Sequence, residues 1–291
     1  MLKEIIAQII ENNMQVYGIV VMQDGEKLAE HHFGCEERRN LYSITKSITS
    51  TAVGMAIAEG HFRLTDSILP YFEQELRGPL SQLQREYLEK VTVERLLTMS
   101  IMDYPFIRLK CDNWLQHILS RPLPNIGERK FRYNNFVSYL AGVIVEKTTG
   151  MSMLDYLRPR LFEPLQIHDV NCAYSPEGHY YGSTGMQLTV NELSRFGQLY
   201  LQKGSYDGRQ LISSEWVEQA TGKQIENKEE GYGYYFWRQK HNSYCARGKW
   251  GQICLVLPDK KAVISVLSHM EKEPLVKKLD QSLWEYIYPR L

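Results

Sequence analysis

Ser43 and Lys46 stand three positions apart in Leu-Tyr-Ser43-Ile-Thr-Lys46-Ser-Ile-Thr. Apolar Ile44, Ile48, Ala52, Met55 and Ala56 predict that this segment opens a helix that Gly60 ends. Residues three apart on a helix share a face, so the spacing brings an amine against a hydroxyl. That is what activating a serine nucleophile requires, a neighbouring base to take its proton. A lysine at its ordinary pKa of ~10.4 is protonated at neutral pH, so such a site must desolvate the amine or surround it with positive charge. Bringing it down to ~7 to 8 costs roughly 3 to 4 kcal/mol at ~1.4 kcal/mol per unit. Alone, the pair is weak evidence, because serine and lysine at this spacing also lie on many solvated helix faces.

Two other segments keep it company. Tyr133-Asn134-Asn135 follows Gly127-Glu-Arg-Lys-Phe-Arg and immediately precedes a helical pattern, offering a phenol and amides at an element boundary where side chains can face a cleft. Taken singly, Tyr133 also reads as a packed aromatic. Late in the chain, Ala246-Arg247-Gly248-Lys249-Trp250-Gly251-Gln252 lies at the margin of a predicted strand. Its closely spaced glycines let another backbone or a ligand approach the strand edge, or simply make a turn.

The elements that must hold these segments are readable in outline. Leu2, Ile5, Ile6, Ile9 and Ile10 make a helical stripe, and Glu4, Gln8 and Glu11 interrupt any signal-peptide core there. Gln15 to Met22 and Leu28 to Phe33 read as strands joined at Asp24-Gly25, a strong hairpin signal. Tyr232 to Arg238, Ser243 to Arg247, Ile253 to Leu257 and Ala262 to Ser268 read as further strands, the last pair turned by Pro258-Asp259. A closing helix carries Leu275, Val276, Leu279, Leu283, Tyr286 and Ile287 on one face. Between these ends the chain is mostly helical. Tyr139, Leu140, Val143 and Ile144 recur until Gly150, and Thr189-Val-Asn-Glu192 makes a capping box before Leu193, Phe196 and Tyr200. The simplest arrangement is an α+β one. N- and C-terminal strands form one antiparallel sheet, with the helical region inserted between them.

Composition narrows the function classes. The chain has 291 residues, is 43% apolar and 23% charged, and balances 34 basic against 34 acidic residues, so no field of one sign recruits nucleic acid. Its five cysteines never form a C-x-x-C pair and suit reduced thiols, which argues for a cytoplasmic setting. No run reaches the ~18 apolar residues of a membrane span. The adjacent His31 and His32 point to opposite faces of a strand and make a poor zinc pair, so neither metal nor cofactor is expected. Phosphate-loop, G-x-S-x-G and H-E-x-x-H patterns are absent.

In order and context, these segments resemble the serine β-lactamase and penicillin-binding superfamily. The class C-like branch of esterases, D-amino-acid peptidases and 6-aminohexanoate-dimer-type hydrolases is the most similar. The resemblance runs through Tyr42-Ser-Ile-Thr-Lys-Ser47, Leu96-Leu-Thr-Met-Ser100, Phe131-Arg-Tyr-Asn-Asn135, Thr149-Gly-Met151 and Phe162-Glu-Pro-Leu165. It continues through Arg195-Phe-Gly-Gln-Leu-Tyr200, Glu215-Trp216 and Gly231-Tyr-Gly233. It implies a β-lactamase/transpeptidase-like fold in a single unit, with a sheet lobe from 1–41 and 228–291 and a helical lobe of 42–227. It further implies a serine hydrolase acting through an acyl-enzyme on small esters, amides or short peptides. Ser43 would be acylated, Lys46 its base and Tyr133 the shuttle to the leaving group. Asn135, Arg247, Gly248, Lys249 and Trp250 would meet the substrate, with the Ser43 and Lys249 amides as oxyanion hole. Ala246 stands where relatives carry a cation, so Arg247, one residue later, is the candidate replacement, with Lys249 the alternative. Ile101-Met-Asp103 replaces a common Ser-Gly. A non-catalytic sensor or binding module on the same fold is the rival reading, since fold does not fix function. The oligomeric state is not legible.

Overall fold

The computed structural model describes residues 1–76, 79–104 and 110–291. Asp24 and Gly25 both take positive φ, 50° and 89°, the geometry that matches a tight turn to the twist of a hairpin. They join β1 (Val16–Gln23) to β2 (Glu26–His32). The far end of the chain supplies β3 (Trp237–Arg238), β4 (Tyr244–Gly248), β5 (Gln252–Leu257) and β6 (Ala262–Ser268). Together they form one antiparallel sheet in the order β2-β1-β6-β5-β4-β3, with β1 from one end of the chain paired to β6 from the other.

Both faces of this sheet are covered. Alternation along each strand sends Ile19, Val21, Leu255 and Ile264 to one face, under α1 (Lys3–Glu11) and the closing helix α5 (Glu273–Ser282). Val20, Val256 and Val263 go to the other, towards α2 (Ile44–Ala58), α3 (Phe136–Thr149) and α4 (Val190–Leu201). Helix α4 lies directly on the sheet: a Cβ on Gly197 would stand 2.5 Å from a Val263 methyl. The Thr189/Glu192 capping box opens this helix as its sequence predicts. Gly150, at φ 68°, ends α3. The edge strand β2 is guarded by charge, with Glu26, Lys27 and Glu30 along it.

Two local expectations are corrected. Ile10 is 63% exposed, because the buried stripe of α1 runs through Leu2, Ile5 and Ile9 and turns away before reaching it. The strand expected over 232–238 shrinks to Trp237–Arg238. Gly231 and Tyr235 take positive φ of 110° and 65°, and the segment folds over the helix Ser214–Thr221, where the Tyr234 amide donates to Ala220 O at 2.8 Å.

Candidate active site

Helix α2 runs through the middle of the molecule. Every residue from Ile44 to Ala56 is buried, and among the described residues its polar side chains, Ser50 excepted, find partners inside. Ser47 donates to Tyr235 O at 2.7 Å, Thr49 to Gly182 O at 2.9 Å, and the Thr51 and Tyr200 hydroxyls meet at 2.7 Å. Gly54 lets the indole of Trp216 lie against the backbone, since a Cβ there would come within 2.4 Å of the ring. The helix therefore has little freedom to tilt or slide.

Ser43 is the N-cap of this 15-residue helix and, unlike the residues that follow, is only half-buried. It follows Tyr42, which holds a left-handed φ of 47° and donates its amide to Asn40 Oδ1 at 2.8 Å. Such a conformation costs of order 1 to 3 kcal/mol in a non-glycine residue and persists only where surroundings impose it. Here the tight turn puts the Ser43 hydroxyl at the positive end of the helix dipole.

Lys46, one turn on, is 1% exposed. Its Nζ lies 3.0 Å from Ser43 Oγ, 2.9 Å from Asn135 Oδ1 and 2.9 Å from the backbone carbonyl of Ser183. Burial without a carboxylate partner disfavours the charged form and pulls its pKa down to about 7. As an ammonium it donates to all three acceptors. A neutral amine gives its two N–H groups to Asn135 and Ser183 and turns its lone pair to the Ser43 hydroxyl.

The Tyr133 side chain hydrogen-bonds with Ser43, and its ring faces the Lys46 amine, 5.0 Å from the centroid. Burial pushes its pKa well above the usual phenol value, and the bond with Ser43 only partly offsets this. The turn bearing Tyr133 is pinned from both sides. The Arg132 amide donates to Met99 O at 2.8 Å, and Asn134 Oδ1 accepts from the Phe136 and Val137 amides at the start of α3. Asn135, the N-cap by position, is thereby released to hold Lys46, and its Nδ2 reaches the Tyr181 hydroxyl at 3.4 Å. The structure thus gathers Ser43, Lys46, Tyr133 and Asn135 into one cluster.

The third segment divides. Gly248 backs onto the Ser43 turn: a Cβ on it would stand 2.3 Å from Leu41 O, so only glycine lets the end of β4 come this close. Trp250 packs edge-on against Tyr42, ring centroids 4.8 Å apart, and exposed Lys249 lies over the Trp250 ring at 4.4 Å. These three border the Ser43 turn. Arg247 does not, and the expectation that it takes over the cation's place is corrected. Tyr244 and Ala246 face the core shared with the helical region, so strand alternation turns Arg247 to the opposite side. There it forms an ion pair with Asp280 of α5. Ala246 is itself 1% exposed and offers no cation.

Sequence reasoning passed over Ser183, Tyr181 and the left-handed Tyr42. Ser183 acts through a carbonyl that every residue type carries. Only its neighbours hint at it: Gly182, at φ 68°, packs so closely that a Cβ would meet Ser138 O at 2.5 Å.

The β-lactamase family model matches residues 3–286, nearly the whole chain. The chain belongs to the β-lactamase family. Among its relatives is the 6-aminohexanoate-dimer hydrolase of Paenarthrobacter ureafaciens, 25% identical over 240 residues, or 73% of this chain. The chain spans 59% of that relative's length. The β-lactamase/D-alanine carboxypeptidase of Pseudomonas syringae superposes with a TM-score of 0.79 at 16% identity, covering 99% of this chain and 98% of its own. A penicillin-binding protein homologue from Caulobacter crescentus gives a TM-score of 0.77 at 16% identity, covering 98% and 96%. These two likenesses establish the β-lactamase/transpeptidase fold. No helix among the described residues is long and apolar enough to cross a membrane.

Proposed function

We propose that this β-lactamase family member is a serine hydrolase that works through a covalent acyl-enzyme on Ser43, with small esters, amides or short peptides as substrates. The observation that carries the reading is the environment of Lys46: a buried amine with a pKa brought to about 7, two acceptors on its N–H groups and the nucleophile at its remaining position. At neutral pH a large fraction of the amine is neutral and able to take the Ser43 proton, as general-base catalysis requires.

The steps follow from the chemistry of these groups. Lys46 removes the proton as Ser43 Oγ attacks the substrate carbonyl, and the oxyanion is held by the amides of Ser43 and Lys249, each such donor typically worth ~10²- to 10³-fold in rate. Tyr133, kept a neutral phenol by burial, gives its proton to the departing alcohol or amine. The proton collected by Lys46 restores the phenol. Water then attacks the ester of Ser43 with the same groups in reversed roles, returning the free hydroxyl and releasing the acid. The small-substrate part of the proposal rests on the relative named as a 6-aminohexanoate-dimer hydrolase and on the half-buried, solvent-reaching position of Ser43.

The deciding experiment is intact-mass analysis after exposure to a fluorophosphonate. One adduct on the wild-type chain and none on Ser43→Ala supports the acyl-enzyme. A folded wild-type protein that takes no adduct and turns over no ester favours a binding or sensor module instead.

A further inference from the structure

A cleft of about 790 Å³ opens beside Tyr133, between the 129–133 run and the 224–229 segment. Its apolar lining comes from Phe131, Tyr133, Ile225 and Trp237. Trp237 stacks on Tyr133, ring planes 30° apart and centroids 5.5 Å apart, and Phe131 meets Trp237 edge-on at 5.8 Å. Tyr232, 1% exposed, touches both from the core side, its centroid 4.9 Å from each. The wall is therefore a fixed aromatic surface rather than a set of mobile side chains.

Charge does little of the selecting here. At the rim, Arg129 is paired with Glu94 at 2.8 Å, Lys130 with Glu128 at 2.8 Å and Glu226 with Lys223 at 2.7 Å. Lys228 and Glu229, the other charged lining residues, are adjacent and of opposite sign, so the rim presents no net field and the aromatic wall recognises an apolar ring. Its place relative to the chemistry follows from Tyr133, which both lines the cleft and hydrogen-bonds with Ser43. A group that receives a proton from this phenol lies on the cleft side of the scissile bond.

We infer that this cleft is the leaving-group site and that Trp237 selects substrates whose alcohol or amine carries an aromatic ring. The inference rests on the proposed roles of Ser43 and Tyr133.

The test compares kcat/KM for benzyl and ethyl acetate, which share an acyl group, and for methyl phenylacetate and methyl acetate, which share an alcohol. Differences in intrinsic reactivity cancel when each preference is compared between variants. We expect the benzyl preference to fall at least about tenfold in Trp237→Ala, the discrimination that a small change in an apolar pocket commonly gives. It should be largely kept in Trp237→Phe, while the acyl-side preference does not move. An unchanged benzyl preference, equal losses on both acetates, or a shift confined to the acyl series overturns the inference. Saturation-transfer NMR of 2-naphthylmethanol with Ser43→Ala reads the cleft without turnover. Binding that Trp237→Ala weakens in that background supports the site even if the wild type hydrolyses no ester, in which case it is the Ser43 reading that fails. No binding, with esters hydrolysed normally, overturns the cleft inference alone.

Discussion

The amine of Lys46 stands 2.9 Å from the backbone carbonyl of Ser183, 137 positions farther along the chain. That carbonyl is held in turn. Ser183 Oγ donates to Asn135 O at 2.6 Å and meets the Ser138 hydroxyl at 2.7 Å. A carbonyl cannot titrate, so one N–H of Lys46 has a partner at every pH, and Asn135 Oδ1 supplies the second. The amine is thus held in a fixed direction, and its remaining valence falls on Ser43.

Ser43, Lys46 and Tyr133 should then act as one unit. Ser43→Ala removes acylation entirely. Lys46→Ala and Tyr133→Phe each lower kcat by at least ~10²-fold, the low end for proton-transfer groups. Steady-state rates on the best ester found, with circular dichroism to confirm folding, provide the measurement. Near-normal turnover in either variant removes that residue from the mechanism.

Activity should rise with pH through about 7. The base must be neutral, and burial brings the Lys46 pKa to about 7, so log kcat/KM climbs with unit slope below that value and levels above it. Because the Tyr133 phenol is pushed above its usual range, no falling limb is expected before pH ~10. A midpoint near 10 would mean that Lys46 is hydrated in the working enzyme.

The same burial links stability to pH. The folded state releases the Lys46 proton at about 7, the unfolded chain at ~10.4. Between those values the unfolded chain binds one more proton, so unfolding free energy gains up to ~1.4 kcal/mol per pH unit from this group. The penalty is constant and fully present below pH 7 and vanishes above both values. Urea unfolding at pH 7, 8 and 9 should show wild type gaining on Lys46→Met as pH rises. Parallel curves would contradict the assignment.

Gly248→Ala should disable the site without unfolding the protein. The backbone at Gly248, φ −120° and ψ 163°, suits any residue, so the cost is space alone. The added Cβ would lie 2.3 Å from Leu41 O and must push β4 off the nucleophile turn. Displacements on the order of 1 Å can cost ~10²-fold in rate, and a loss of that size in kcat is the expected result, with the protein still folded by circular dichroism and overpacking lowering its stability by about 1 to 3 kcal/mol.

Arg247→Ala and Lys249→Ala should separate structure from recognition. The Arg247–Asp280 pair is only about a quarter exposed, so breaking it should cost about 1 to 2 kcal/mol of stability, between surface and buried pairs. It should leave the preference between matched neutral and carboxylate-bearing esters unchanged. Lys249 is exposed beside the nucleophile turn, and its loss should reduce turnover of the carboxylate ester about two- to fivefold. A carboxylate-selective loss in the Arg247 variant would reverse this assignment.

The parts of the site that were legible beforehand are those encoded by residue type. An i, i+3 hydroxyl and amine, a tyrosine at an element boundary and a glycine at a strand margin carry their chemistry in their side chains. Much of the sheet was equally readable, because β5 and β6 are covered on both faces and show as nearly continuous apolar runs, unbroken over 253–257 and interrupted only by Ser265 over 262–267. Two backbone contributions escaped, the Ser183 carbonyl and the left-handed Tyr42, as did the transfer of the capping role from Asn135 to the Asn134 side chain. The direction of Arg247 depended on the register of β4, which its partner strands fix and five residues alone cannot.

Because α2 is enclosed from Ile44 to Ala56, the dryness of the interior determines, in the proposed mechanism, the acidity at which Ser43 can work. A substitution that touches neither substrate nor nucleophile, such as one that loosens the seat of Trp216 against Gly54, would admit water along the helix and let Lys46 drift back towards an ordinary amine. The operating pH is in that sense a hygrometer for the core. A lineage could retune it by repacking alone, leaving every residue in the cleft as it stands.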